Sequence, residues 1–230
     1  MTTINFEQFS RIQAAREHIA HIGRMLFDRN LTDAGGGNIS QRIDNLVCMT
    51  PTKAAQHKQW QLDAEDILVV DFDRNILLGD GKLTREINVH LGLHKAYGDY
   101  GDAVIHAHPR NLMTFVTQAR PMPAIMEATR KFGTTPVVEY APAHTPQLGI
   151  NIVESMRGRE AMIKKHGAGT LAPWHGLFLM GVNMNAAFDA VERLDTNAFC
   201  LIHAQSIGGT AMLEAERTKM EDVIGNYSEE

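Results

Sequence analysis

Two histidines one residue apart are the sharpest chemical feature of the chain. In Val104-Ile105-His106-Ala107-His108-Pro109 an apolar run ends in an HxH pair. In a strand, residues i and i+2 point to the same side, so His106 and His108 can grip one ion where the strand stops. Histidine is the commonest protein metal ligand and a frequent general base, and the chain has 11. An isolated HxH also arises as two polar residues closing a strand, so a further donor is required. A catalytic zinc site takes three protein ligands and keeps a fourth position open. Two pairs compete for the third place, His166-Gly167 and His175-Gly176. His175 directly precedes an apolar run and so stands at a strand end, like the first pair. His166 follows Lys164-Lys165 in a polar, glycine-containing stretch, and local context favours His175. A rival pair, His90 and His94, lies four apart on one helical face. Leu91 and Leu93 beside it make that helix a packing element.

A carboxylate and several anion donors accompany the histidines. Glu86 follows Thr84-Arg85 at a helix start, where the positive end of the dipole favours a carboxylate. Beside a metal ion such a group can move a proton on carbon next to a polarised carbonyl. Gly35-Gly36-Gly37-Asn38 offers convergent amides to a phosphate. Thr50-Pro51-Thr52-Lys53 supplies hydroxyls and an ammonium, and Thr84-Arg85 a hydroxyl and a guanidinium. Neither G-x-x-x-x-G-K-[ST] nor G-x-G-x-x-G occurs, which sets aside a P-loop and a dinucleotide fingerprint.

The elements that must position these groups read as follows. Phe6 to Asn30 has helical spacing of Phe6, Phe9, Ile12, Ile19, Ile22, Met25 and Leu26. A glycine-closed loop leads to a hairpin of Asn38–Arg42 and Leu46–Met49 around Asp44-Asn45. Short strands are expected at 67–71, 76–78, 103–107, 136–140 and 176–181. Helices are expected at Glu86–Tyr97, with Thr84 as N-cap, and at 111–118, 149–156 and 185–207. Strands and helices interleave, so the class is α/β; the hairpin makes a mixed central sheet the expectation.

Composition narrows the partners. The chain has 230 residues with 22 Lys plus Arg against 27 Asp plus Glu, a net charge of −5. That argues against a nucleic acid held on a basic surface. Cys48 and Cys200 form no zinc-ribbon or CxxC pattern and read as reduced thiols. No apolar stretch approaches the length of about 18 residues that spans a bilayer. Glu7, Arg11 and Arg16 stand where a signal peptide would place an apolar run, so the expectation is a cytoplasmic protein without a membrane partner. No repeat or linker is visible, and one domain is expected over 1–230, its tail from 208 to 230 either flexible or docked on an interface.

Taken in order, these pieces resemble the class II aldolase/adducin family, which includes sugar-phosphate aldolases, an epimerase and a dehydratase. The matching runs are Gly36-Gly37-Asn38-Ile39-Ser40, Thr50-Pro51-Thr52, Thr84-Arg85-Glu86 with His90, His106-Ala107-His108-Pro109, and His175-Gly176 with a downstream helix containing Ala187-Phe188-Asp189-Ala190-Val191-Glu192. The run from His106 to Leu112 looks most like the rhamnulose-phosphate branch. The resemblance implies a three-layer α/β/α sandwich and a homotetramer with active sites near subunit interfaces. It implies zinc, or Mn, Co or Fe, on His106, His108 and His175. Glu86 would be the acid/base and a fourth ligand in the resting enzyme. Asn38, Thr52 and Thr84 match phosphate-site positions. Glu127 falls near where members place a second catalytic residue reaching a neighbouring site, and Tyr227 near a tail tyrosine used in the same way. Lys53 and Arg85 depart from the family, which usually has Gly and a small residue there. The added charge suits a phosphate or a carboxylate. The implied activity is metal-dependent cleavage of a phosphorylated ketose to dihydroxyacetone phosphate and an aldehyde. Epimerisation, dehydration or decarboxylation of a phosphorylated or acidic sugar at the same site is the alternative. A non-catalytic, adducin-like interaction module is the remote one.

Overall fold

The computed structural model describes residues 4–226. Its strands are β1 (Asn38–Ile43), β2 (Leu46–Met49), β3 (Leu68–Asp71), β4 (Ile76–Leu78), β5 (Ala103–Ala107), β6 (Gly167–Ala172) and β7 (Gly176–Gly181). The helices are α1 (Phe6–Asp28), α2 (Ala54–Lys58), α3 (Ile87–Tyr97), α4 (Met113–Thr117), α5 (Glu127–Arg130), α6 (Pro146–Ser155), α7 (Glu160–Lys165), α8 (Met184–His203) and α9 (Gly209–Gly225). The strands form one sheet in the order β4-β3-β2-β1-β5-β7-β6.

Every strand pair in that sheet is antiparallel. The α/β class stands, but the sheet is not mixed: its one parallel element is an isolated bridge, Val137 to Leu171. That bridge is also all that forms where a strand was expected at 136–140. The strand beside it is β6, in a segment read from sequence as a polar loop around His166. Its glycines and alanines carry no strand signature, yet they let neighbours close in. A Cβ on Gly169 would lie 3.1 Å from Leu177 and 3.3 Å from Leu194.

Alternation along the central strands sorts residues to two faces. Ile105, Leu177 and Leu179 pack with Ile12, Ile19 and Leu26 of α1 and Val191 and Leu194 of α8. Val104, Phe178 and Met180 face the other way, against Val89 and Leu93 of α3 and Leu148 and Ile152 of α6. The result is helices on both faces of the sheet. Capping fixes where the helices start: Asn5 accepts from Gln8 N at 2.8 Å and Asn183 from Ala186 N at 2.9 Å. Buried Arg16 ties α1 to the chain before β3, donating to Ile67 O at 2.9 Å and Glu65 O at 3.2 Å. No helix among the described residues is long and apolar enough to cross a membrane.

Within the tail, residues Gly209–Gly225 form helix α9, and its Glu221 pairs with Arg130 at 2.7 Å. Tyr227 lies outside the described residues.

Candidate active site

Register creates the floor of a cleft. Asn38 pairs with His106 across β1 and β5, and His106 with Phe178 across β5 and β7. One row therefore runs Asn38, His106, Phe178, and the His106 ring stacks on Phe178 at 4.1 Å between centroids. His108 follows β5 on the same side. His175 closes the three-residue loop between β6 and β7, in which Trp174 takes a left-handed conformation at φ 57° and His175 N donates to Ala172 O at 3.1 Å.

The ligand atoms of His106, His108 and His175 lie within 4.8 Å of one another. Their partners decide which nitrogens are free. His106 Nδ1 is 2.9 Å from Leu177 O, and His108 Nδ1 is 2.7 Å from Asp33 Oδ2. A carbonyl and a carboxylate only accept, so both Nδ1 atoms carry a proton, and in the neutral rings both Nε2 atoms present lone pairs. Those two Nε2 atoms face each other at 3.3 Å. Lone pairs this close repel unless a cation lies beside them. A proton on His106 or His175 does not fill that role at neutral pH. Burial, then His108 and His175, push His106 well below the ordinary imidazole range. Burial, then His108, His144 and Arg85, push His175 down to about 4. His175 also keeps a buried Nδ1 without a partner. Three converging imidazoles, two of them with Nδ1 held by an oxygen acceptor, are the donor set a divalent transition metal takes. The residues fit a metal.

Close packing holds the rings. A Cβ on Gly176 would lie 2.7 Å from His108 Cδ2 and 2.9 Å from His106 Cε1, and one on Gly36 would overlap the His108 ring. Asp33, which orients His108, is itself fixed by Gly35 N at 2.8 Å. Burial works against its charge, but His108 and the Gly35 and Gly36 amides hold its carboxyl below the usual range.

The rival pair His90 and His94 has another task. Ser40 Oγ sits between them, 2.6 Å from His90 Nδ1 and 2.8 Å from His94 Nε2, and His90 Nε2 meets Asn38 Oδ1. The amide oxygen only accepts, so the chain runs in one direction. His94 Nε2–H donates to Ser40, Ser40 to His90 Nδ1, and His90 Nε2–H to Asn38. This leaves Asn38 Nδ2 as the group free to donate to an anion. Both rings are fully buried.

Glu86 is 3% exposed, at the N-cap position of α3, where Thr84 Oγ1 accepts from its amide at 3.3 Å. Thr84 thus stands two residues before the N-cap rather than at it. Glu86 Oε1 lies 2.8 Å from His144 Nδ1 and 3.5 Å from His175 Nε2. Burial raises its pKa, and His144 and Arg85 oppose that rise.

The cleft above these groups has a volume of about 120 Å³. Asn38, Thr52, Lys53, Thr84, Arg85, Glu86, His106, His108 and His175 all line it, so the structure brings together every site residue expected from sequence except Glu127. Glu127 is exposed at the start of α5, outside the cleft of its own chain. Sequence reasoning missed Asp33 and His144. Asp33 was signalled weakly, as the acid just before the glycine run. His144 had only its place beside the helix-starting Thr145-Pro146. Asp195 of α8 acts as a clamp: it accepts from Asn111 N at 2.8 Å and Leu112 N at 3.0 Å, pinning the chain after His108.

Residues 17–211 match the family described as Class II Aldolase and Adducin N-terminal domain. The chain belongs to the class II aldolase and adducin family. Within that family it is 26% identical over 221 residues to a 5-deoxy-D-ribulose 1-phosphate aldolase of Bacillus thuringiensis serovar kurstaki, covering 94% of this chain and 96% of the relative. It is 29% identical over 203 residues to a 3-oxo-tetronate 4-phosphate decarboxylase of Haemophilus influenzae, covering 84% and 90%. The class II aldolase fold is shared with a solved L-fuculose 1-phosphate aldolase at TM-score 0.74 and 24% identity, covering 90% of this chain and 96% of that one. None of these three carries a rhamnulose-phosphate name.

Proposed function

We propose that this class II aldolase is a divalent-metal-dependent lyase that breaks a carbon–carbon bond in a phosphorylated ketose, releasing dihydroxyacetone phosphate and an aldehyde. The observation that carries the reading is the convergence of three imidazoles beside buried Glu86, under a cleft lined by anion donors. His106, His108 and His175 would hold the metal. Bound there, zinc or another divalent ion supplies Lewis acidity at the substrate carbonyl. The chain's own groups do the rest. Asn38 Nδ2, Thr52 and Thr84 bind the phosphate, and Lys53 and Arg85 add positive charge to the cleft. As the bond breaks, the adjacent hydroxyl loses its proton and becomes the aldehyde, and Glu86 gives one proton to the released enediolate to make dihydroxyacetone phosphate, a contribution of about 10²–10⁴-fold. Phe178, stacked on His106, and buried Trp60 in the lining make part of the cleft apolar.

A second reading uses the same residues on an acidic substrate. In a 3-oxo acid phosphate, loss of CO₂ leaves its electron pair on the same enediolate, and one proton again gives dihydroxyacetone phosphate. Arg85 and Lys53 in one cleft favour it, as does the decarboxylase-named relative. Epimerisation and dehydration would draw on the same metal and carboxylate. We further propose a cytoplasmic homotetramer of one family domain per chain. Exposed Phe199, Ile207 and Met212 supply apolar surface for association. Within it Glu127 would serve a neighbour's cleft.

The test is dihydroxyacetone phosphate release, by coupled assay, from fuculose, rhamnulose and 5-deoxyribulose 1-phosphates and from 3-oxo-tetronate 4-phosphate. Chelator-sensitive release that is lost in Glu86→Gln is expected. Activity surviving metal removal, or borohydride trapping of substrate on a lysine, would overturn the reading.

A further inference from the structure

Glu86 is held by a residue that belongs to none of the sequence motifs. His144 occupies the third position of a turn closed by Thr145 N on Pro142 O at 3.4 Å. Its φ is 70°, a conformation that glycine adopts freely and that other residues rarely take in such a turn. The turn has no slack. Thr145 Oγ1 accepts from Leu148 N at 3.3 Å as the N-cap of α6, and Pro146 is the first helical residue. A strained residue kept in place by its surroundings points to function when its side chain meets a reacting group. That of His144 does: Nδ1 lies 2.8 Å from Glu86 Oε1 across 58 positions of sequence. A carboxylate only accepts, so the Nδ1 proton is the one shared.

The geometry points to His144 as a positioning residue. Its Nδ1–H fixes Oε1 of Glu86, so that Oε2 faces the substrate and the carboxylate does not fold onto the three imidazoles beneath it. Oε1 is already 3.5 Å from His175 Nε2, so release from His144 would let the carboxylate move toward the metal ligands. This inference rests on the functional reading above, in which Glu86 carries the proton.

The test uses the full-length, zinc-loaded protein with dihydroxyacetone phosphate in D₂O. Proton NMR follows exchange of its hydroxymethyl hydrogen, a step that needs the proton carrier and no aldehyde. His144→Gly relieves the backbone and removes the donor. Its exchange rate is expected to fall about 10- to 100-fold, with metal content unchanged and a melting temperature no lower than that of the wild type. His144→Asn, at home in the left-handed region, offers an Nδ2–H near the lost Nδ1–H and is expected to restore most of the rate. Wild-type exchange by His144→Gly, loss of its metal, or an Asn variant no better than the Gly variant each overturns the inference. Glu86→Gln separates the two levels. Exchange lost in Glu86→Gln but kept in His144→Gly overturns the role of His144 alone. No exchange by the loaded wild type overturns the functional reading together with it.

Discussion

Asp33 Oδ2 holds His108 Nδ1 at 2.7 Å, joining residues 75 positions apart. The glycine run after Asp33 curls its carboxylate toward the strand end, where it dictates the His108 tautomer. Asp33→Asn keeps the shape but exchanges a charged acceptor for an amide. Metal affinity, measured by competition with a chromogenic chelator, is expected to fall about 10- to 100-fold. Unchanged affinity would mean that His108 needs no orienting partner.

Gly176 is a steric requirement. Its φ is not among the positive ones, but a Cβ there would meet Ala107 O at 2.8 Å and His106 Cε1 at 2.9 Å. Backbone cannot yield as a flexible side chain would. Gly176→Ala is expected to destabilise the fold by about 1–3 kcal/mol and to lower bound metal, both read by denaturant unfolding and metal analysis. A fully loaded, equally stable variant would contradict this packing.

The His94–Ser40–His90 chain predicts acid sensitivity. Burial lowers both imidazoles to about 3, with His90 and Arg42 adding to the effect on His94. Above pH 6.5 neither state of the chain carries these protons, so the pair has no effect on the pH profile. As pH falls from 6.5 toward 3, only the unfolded chain gains them. Stability therefore drops with falling pH, by up to about 1.4 kcal/mol per pH unit for each ring. Chemical unfolding at pH 7 and pH 5 measures it, and His94→Gln should make the slope shallower. Identical midpoints at the two pH values would refute the pairing.

Thiol titration separates the two cysteines. Cys48 is buried under α1, its thiol pushed up to about 12 by desolvation, while Cys200 is partly exposed on α8. The native protein should therefore give one reactive thiol with a disulfide reagent at pH 8, and the unfolded chain two. Two fast thiols in the native protein would place Cys48 elsewhere.

Arg85→Ser discriminates between the two substrate classes. Loss of a charge-assisted bond of about 1.5–3 kcal/mol should raise KM for a 3-oxo acid phosphate about 10- to 100-fold. A ketose 1-phosphate should feel it much less. Equal effects on both would tie Arg85 to the phosphate that they share.

Much of this was legible in the sequence where one residue pattern had one physical meaning. Helical spacing gave α1 within two residues of its end, and alternation into His106-Ala107-His108 gave β5 and two of the three imidazoles. His175 followed because its neighbours read as a strand start. Strand direction was not legible, because β1 and β5 are joined through distant chain and nothing local records how they run. β6 was missed because Gly167, Ala168 and Gly169 are chosen for thinness, which a propensity reading scores as loop. His144 and Asp33 come to the site through turns, and contact across many tens of residues leaves no spacing to read.

The order of the strands has a consequence for how the chain is born. β1 to β4 are built from sequence neighbours, as are β6 and β7, and β5 is the seam that joins the two pieces. A ribosome releases β5 well before β7, so a nascent chain holds His106 and His108 while Leu177 and His175 are still unmade. Until the second hairpin docks, there is no carbonyl to set the His106 ring and no third imidazole. On the proposed metal site, the half-made protein would be a poor trap for metal, and capture would be the last step of maturation.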